Sequence, residues 1–429
     1  MATPYKTFSY HTFGCKVNFA DSSFIARELI GKGFSQVPIN SNADISLINT
    51  CSVTENADKK ANKLIKDLYN RFPETKIIVY GCYAQLKPIE ISKLKGVALV
   101  VGAKDKFKIS DIIASDDFTD NVNFSDINEV SKFNISYSLN ERTRAFIKIQ
   151  DGCNYTCTYC TIPNARGKSR SLNVEDTVNE IKNIVEKGSK EIILSGINIG
   201  DFGLEQGEKF STLLENVELI DDLDRYRISS IEPNLLTKEI LKIISKSEKA
   251  MPHLHIPMQS GSDKILKLMQ RRYTSLDYVN VIDKVRSYFP DACIGVDVIV
   301  GFPSETEDDF NETYNTLNNL DISYLHVFSY SERNNTKSQG IIPKVPQNEI
   351  VTRRNKLRAL STIKYKEFVF KNLNSKKNIL FEKYDDGLLS GWTENYIRVN
   401  VEGSKRLINQ IKKIKLTNHN SGYTEGILI

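Results

Sequence analysis

The chain has 429 residues, 40% hydrophobic and 26% charged, with a net charge of +5 at neutral pH. That length exceeds what one hydrophobic core usually supports, so two or three domains are expected, and the composition excludes a fibrous or disordered protein. The opening MATPYKTFSYHTFG has no charged segment leading into an apolar one, and no apolar run approaches the ~20 residues that span a bilayer.

The expectation is therefore a cytoplasmic protein without a membrane segment, whose clustered thiols are metal ligands and not disulfides. The first segment alternates apolar strands at 6–13, 45–49, 77–80 and 98–101 with helical patterns at 22–32, 57–71 and 89–94. This alternation predicts βαβ units and an open parallel sheet. A polar, Asp- and Asn-rich stretch at 116–140 reads as a linker. A second series has strands at 145–149, 191–195, 226–231, 253–257, 294–300 and 324–329. Helical patterns fall between them at 174–187, 238–247, 263–269, 276–289 and 307–320. Six βα units are too few for an eight-fold barrel, so a partial (β/α)6 barrel is expected, with its ligand site beyond the carboxyl ends of the strands.

A basic helical stretch at 347–373 then precedes a β-rich tail with strands at 377–382, 396–401 and 412–416. From Lys371 onward, ten Lys and Arg stand against six Asp and Glu. That surplus suits a module facing a polyanion, and equally an ordinary solvated surface. The fold class is α/β throughout: an open-sheet domain over 1–120, the partial barrel over 139–370, and a small β-barrel over 371–429.

Cys153, Cys157 and Cys160 are spaced three and then two residues apart in DGCNYTCTYC, just after the apolar run AFIKI. Three thiolates this close can reach one soft metal centre and leave a four-coordinate site one ligand short. A closed structural zinc site would want a fourth Cys or His nearby, and none follows in the next forty residues. Cys15, Cys51 and Cys82 are scattered, yet each follows a strand of the first series (KTFSYHTFG, ISLINT and IIVYG). At the edge of a parallel sheet their sulfurs can converge into a second open triad; the alternative is three inert core thiols. Cys293, in DACIGVDV, has no such companion and reads as a core residue.

With both triads in place, the chain resembles the methylthiotransferases of the radical S-adenosylmethionine superfamily over essentially its whole length. The resemblance runs through FGCKVN, NTCSVTENAD, YGCYAQ, KIQDGCNYTCTYCTIPNARG, LSGINIGDFG, HLHIPMQSGS and VIVGFPSETEDDF. The tail is placed like the small RNA-binding TRAM-type β-barrel of that family. The resemblance implies two 4Fe-4S clusters, on Cys153, Cys157 and Cys160 and on Cys15, Cys51 and Cys82, with S-adenosylmethionine as cofactor. It implies that a reduced flavodoxin or ferredoxin supplies an electron, and that the resulting deoxyadenosyl radical takes hydrogen from C2 of an adenine. The second cluster would then deliver methylated sulfur to that carbon. RTRAFIKIQDGC, LSGINIGDFG and RISSIEPNLL look most like the type acting on N6-threonylcarbamoyladenosine at position 37 of tRNA. The alternatives are isopentenyladenosine in tRNA and an aspartate of a small-subunit ribosomal protein. A monomer is expected.

Given that family, cofactor contacts are expected from strand ends. Gly196 would let methionine approach the backbone. Glu232 would accept the ribose hydroxyls, or be a solvated strand-end acid. Gln259, Ser260 and Phe302 would meet the adenine, and Arg166 the cofactor carboxylate, unless it is a surface arginine. His253 and His255 are expected to line the barrel. Ser304 and Asn335 stand where the family more commonly has glycine, and Lys337, Ser338 and Gln339 replace small residues.

Overall fold

The computed structural model describes residues 5–118, 120–139, 143–420 and 422–429. Its N-terminal part is a six-stranded parallel sheet in the order Ser35–Gln36, Thr7–Thr12, Ile45–Thr50, Lys76–Gly81, Val97–Val101, Val122–Asn123. Every residue of the central Ile45–Thr50 is buried, as a strand covered on both faces requires. Alternate side chains serve opposite faces. Ile45, Leu47, Ile78 and Tyr80 pack with Ile25 and Leu29 of helix Lys16–Gly31. Ile48, Ile77 and Val79 pack with Ala61, Ile65 and Leu68 of helix Glu55–Arg71. Thr54 starts the latter helix by accepting from Ala57 N.

The stretch expected to be a linker is built into both halves. Val122–Asn123 extends the first sheet, and Ser136–Tyr137 pairs antiparallel with Arg144–Lys148, the first barrel strand. Two-residue strands carry no periodicity, so pattern reading passes over them. The partial barrel contains the six parallel strands expected: Arg144–Lys148, Glu191–Ser195, Arg225–Ile228, His253–His255, Cys293–Val300 and Tyr324–Ser329. Bridges from Tyr226 to Ala250 and from Ser230 to His255 join its two sheets. Helix Lys16–Gly31 lies between the N-terminal sheet and the barrel, with Phe19 against Phe146 and Arg27 donating to Tyr137 O at 2.8 Å.

After the long helix Gln347–Asn372 comes a closed five-stranded barrel in the order Lys376–Asp385, Leu388–Thr393, Arg398–Glu402, Tyr423–Leu428, Ile411–Asn420. The three expected strands are joined by Leu388–Thr393 and Tyr423–Leu428, whose sequences LLSGWT and YTEGIL break alternation with glycine. Gly391 is needed there, because a Cβ would run into the carbonyl of Leu380. Cys293 is fully buried in the core this barrel shares with Phe368, Val369 and Ile379. Ser304 and Asn335 have φ of 68° and 64°, the left-handed region that glycine favours.

Arg227 fastens the small barrel to the large one. It donates to Thr393 O and Glu394 O, each at 2.8 Å, and to Glu191 Oε1 at 2.7 Å, with all of these groups deep between the two units. Arg227→Met would leave the buried Glu191 carboxylate with only the longer contacts to Arg225 at 3.7 Å and Arg144 at 4.0 Å, so the cost should fall below the ~3–5 kcal/mol of a buried pair that loses one partner outright. The expected result is a lowered thermal midpoint by calorimetry. An unchanged midpoint would mean that Arg227 is dispensable and that the other contacts, among them the Arg144–Glu382 pair, hold the two barrels together.

Candidate functional site: two cysteine triads

The three scattered cysteines occupy equivalent positions. Cys15 precedes helix Lys16–Gly31, Cys51 follows strand Ile45–Thr50, and Cys82 opens helix Cys82–Leu86 directly after strand Lys76–Gly81. The strands are adjacent and parallel, so all three residues lie on one edge of the sheet. Gly14, at φ +105°, makes the close approach possible: a Cβ there would lie 2.9 Å from Cys51 Cβ and 3.2 Å from its Sγ.

The second triad sits on the loop after the first barrel strand. Residues Gln150–Asp151 pair with Arg170–Ser171 at the base of this loop, and Gly152 at φ +74° leaves no room for a side chain against the Lys168 carbonyl. Each sulfur has an N–H pointed at it. Tyr155 N donates to Cys153 Sγ at 3.3 Å, Ile162 N to Cys160 Sγ at 3.5 Å, and Arg271 to Cys157 Sγ at 3.2 Å. Three N–H donors on three sulfurs suit anionic thiolates, as a metal cluster requires. Beside the loop lies a cavity of about 640 Å³ lined by all three cysteines together with Asn335 and Lys337, so two of the residues that depart from the family pattern face this site.

Arg166 is not where the sequence reading put it. Its Nε donates to Cys82 Sγ at 3.3 Å in the other triad, its Nη1 to Asp151 Oδ1 at 2.7 Å, and its Nη2 to Asn18. Asp151 lies two residues before Cys153, and Asn18 three residues after Cys15, so one guanidinium ties together the surroundings of both triads. Burial alone would raise the Asp151 carboxyl, but Arg166, with Lys106, Lys148 and Arg170, holds it well below the usual range. Asp21 and Asp151 are the carboxylates among these four buried cations. The remaining positive charge beside Cys82 suits a site that holds thiolates. A second clamp joins the halves: Arg333, beyond the last barrel strand, donates to Asp58 Oδ2 at 2.6 Å and to Ser52 Oγ at 2.5 Å, next to Cys51.

The other expected contacts divide. Glu232 is paired with Arg271, the guanidinium that donates to Cys157; burial pushes its carboxyl up and Arg271 pulls it back. Gln259 lines a cavity of about 190 Å³ with Cys160 and Asp297. Gly196 is tight against Gln150, where a Cβ would sit 3.0 Å from Oε1. Its missing side chain thus accommodates Gln150, which braces Ile197 N and Asn198 N. Ser260 is buried with its hydroxyl on Thr313, and Phe302 is fully buried behind Tyr159, so neither side chain reaches a cavity surface. His253 and His255 line the barrel as expected. Arg271, Asn18, Asp151 and Arg333 were not singled out from the sequence. Each acts on a partner far along the chain, and no local pattern marks that.

Residues 147–317 match the radical SAM superfamily, and residues 7–102 the uncharacterized protein family UPF0004. The chain is 36% identical to the threonylcarbamoyladenosine tRNA methylthiotransferase MtaB of Bacillus subtilis (strain 168), over 98% of its own length and 96% of that protein's. Identity is 38% to the enzyme of the same name from Aquifex aeolicus (strain VF5), over 93% and 97%. It is 34% to a tRNA-2-methylthio-N(6)-dimethylallyladenosine synthase from Endomicrobium trichonymphae, over 92% and 94%. Among solved structures, the radical S-adenosylmethionine methyltransferase TsrM from Kitasatospora setae superposes with a TM-score of 0.53 at 11% identity, covering 76% of this chain and 75% of that one; the likeness is one of fold.

Burial pushes the Cys51 and Cys160 thiols up to about 12 and the Cys153 thiol to about 11. Without metal they stay protonated at neutral pH, and a bound cation must displace those protons. Alkylation of these three residues in the metal-free protein should accelerate about tenfold per pH unit between about pH 7 and 9, because the thiolate is the nucleophile. Peptide-resolved iodoacetamide labelling measures this. A flat profile would mean the thiols are already ionised.

Proposed function

The chain belongs to the radical S-adenosylmethionine methylthiotransferases that act on adenosine in tRNA, and on that premise we propose that its substrate is N6-threonylcarbamoyladenosine, methylthiolated at C2 with sulfur delivered at the second triad. The observation that carries the reading is the convergence of two three-cysteine sets, each one ligand short, on one interface bridged by the buried pair Arg166 and Asp151. The substrate choice is supported by relatives of 36–38% identity named for it, aligned over nearly the full length of both chains.

The cofactors are two 4Fe-4S clusters and S-adenosylmethionine. Cys153, Cys157 and Cys160 would hold the cluster that takes S-adenosylmethionine, and Cys15, Cys51 and Cys82 the one associated with sulfur. Together the bound groups supply the radical that an unactivated C2–H demands and the sulfur that replaces the hydrogen. The chain's own residues fix the geometry. Arg271, held by Glu232 and next to Cys157, is the cation best placed for a cofactor carboxylate, the role expected of Arg166. Gln259 adjoins Cys160 and is the strand-end residue offered to the cofactor's adenine. Arg166 acts on the second triad as a positioning residue, giving a hydrogen bond to Cys82 Sγ.

The small barrel of residues 371–429 would hold the RNA backbone. Lys376, Lys383, Arg398, Lys405, Arg406, Lys412 and Lys413 are all exposed on it. A flavodoxin or ferredoxin would supply electrons to a monomeric enzyme. No helix among the described residues is long and apolar enough to cross a membrane.

Two measurements test the reading. Mass spectrometry of tRNA nucleosides from a deletion strain should show threonylcarbamoyladenosine without its methylthio derivative, while methylthio-isopentenyladenosine persists; loss of the latter instead would favour the dimethylallyl substrate. Changing Cys15, Cys51 and Cys82 together to alanine should remove about half of the iron and sulfide from anaerobically purified protein, since each open triad holds one cluster. Full iron retention would rule out the second triad as a cluster site.

A further inference from the structure

Below the cysteine loops, the barrel interior holds a third cavity, of about 340 Å³, outside the metal sites described above. Its wall is made by Lys16, Ser229, His255 and His326, with Tyr396 and Trp392 of the small barrel closing the far end. Lys16 follows Cys15 directly, so the cavity adjoins the proposed sulfur site. Two groups on its wall lack partners. The Lys16 side chain is exposed to the cavity, and among the described residues no carboxylate or hydrogen-bond acceptor engages its amine. The Ser229 hydroxyl is buried and has no hydrogen-bond partner among the described residues.

The charged groups facing Lys16 are the Cys15 thiol, Arg144 and Asp297. Asp297 is already engaged by His255 Nε2 at 2.9 Å, and Arg144 is paired with Glu382 at 2.5 Å. Arg227, also on the wall, is committed to Glu191. An uncommitted lysine and an orphaned hydroxyl in one cavity call for a ligand with an anionic end and hydrogen-bonding groups.

We propose that this cavity reads the N6 substituent of the substrate adenosine, with Lys16 receiving a terminal carboxylate and Ser229 a carbonyl or hydroxyl of the same chain. The inference rests on the tRNA-adenosine reading above and gives it a reason to select threonylcarbamoyl. That substituent carries a carboxylate, a hydroxyl and a carbamoyl group. An isopentenyl group has no polar atom. It would desolvate the Lys16 amine, leave the Ser229 hydroxyl unpaired and return nothing, and sites built to hydrogen-bond a substrate reject analogues that lack the partner.

The test uses the anaerobically reconstituted enzyme and fluorescently labelled anticodon stem-loops carrying threonylcarbamoyl-, isopentenyl- or unmodified adenosine, with Kd read by anisotropy. Wild type should bind the threonylcarbamoyl loop about 10–100-fold more tightly than either other loop, the value of one charged hydrogen bond. Lys16→Met should bring that loop's affinity down to that of the unmodified loop, with iron content unchanged. Ser229→Ala, on a different element and away from the cysteines, should lose a smaller part of the preference. If Lys16→Met cannot hold both clusters, Lys16→Gln and Ser229→Ala carry the same comparison. A threonylcarbamoyl preference that survives in the Lys16 and Ser229 variants overturns the assignment and leaves the proposed function standing. A wild-type preference for the isopentenyl loop overturns the threonylcarbamoyl substrate itself.

Discussion

The arrangement depends on one buried ion pair, Arg166 with Asp151. Both side chains are 4% exposed. Removing two such ions from water costs several kcal/mol each, and their mutual attraction offsets that only when the remaining donors and acceptors are also satisfied. They are. Arg166 also donates to Cys82 Sγ and Asn18, and Asp151 accepts from its own neighbour Gly152 N at 2.9 Å and faces Arg170. The pair therefore has one stable geometry, and in that geometry the loop carrying Cys153, Cys157 and Cys160 is locked against the sheet edge carrying Cys15, Cys51 and Cys82.

The pair does not stand alone. Lys148, at the end of the first barrel strand, reaches Asp21 of helix Lys16–Gly31 at 2.7 Å, and Lys106 reaches the same carboxylate at 2.5 Å. Burial draws the Lys148 amine down to about 8, and Asp21 acts against that. Ser136, from the stretch read as a linker, donates to Asp21 Oδ1 at 2.7 Å. Four separate stretches of chain thus meet at two carboxylates, and no member can move without leaving a buried charge unpaired. A reaction that brings a substrate carbon between two metal sites needs them at a constant separation, and a charge lattice of this kind supplies it better than apolar packing, which tolerates sliding.

Much of this was legible in the sequence, for identifiable reasons. Cysteine is rare in the chain, so six residues falling on one loop and three strand ends stand out against the alternation of strands and helices. Of the barrel strands, Glu191–Ser195, Cys293–Val300 and Tyr324–Ser329 are long enough to stand out by their apolar residues, and the spacing of the helices between them marks the shorter ones. What stayed hidden depends on contacts between distant residues. Arg166 lies six residues after Cys160 and looks like a neighbour of that triad, yet its partner sulfur belongs to Cys82, 84 positions away. The two-residue strands Val122–Asn123 and Ser136–Tyr137 have no period to read. Ser260 and Phe302 follow strands, as ligand-binding residues do, but the chain turns there so that both side chains enter the core. Ser304 and Asn335 departed from a glycine pattern, and their positive φ values explain why glycine is the easier residue at those positions.

The first barrel strand, Arg144–Lys148, links the two ends of the molecule. All five residues are buried, and a cation stands at each end. Arg144 is paired with Glu382 of the small barrel and lies at the edge of the Glu191 cluster that also holds Arg227. Lys148 is bound to Asp21 of the N-terminal sheet domain. Five extended residues span roughly 13 Å between first and last Cα, so the small barrel and the N-terminal sheet domain are fastened to opposite ends of one short, rigid element. The cavity that holds Lys16 lies between these two attachments, closed at one end by Trp392 and Tyr396 and adjoining Cys15 at the other. The strand that carries the cysteine loop at its carboxyl end therefore holds the cavity's two borders, the small barrel and the N-terminal sheet domain, at a fixed separation.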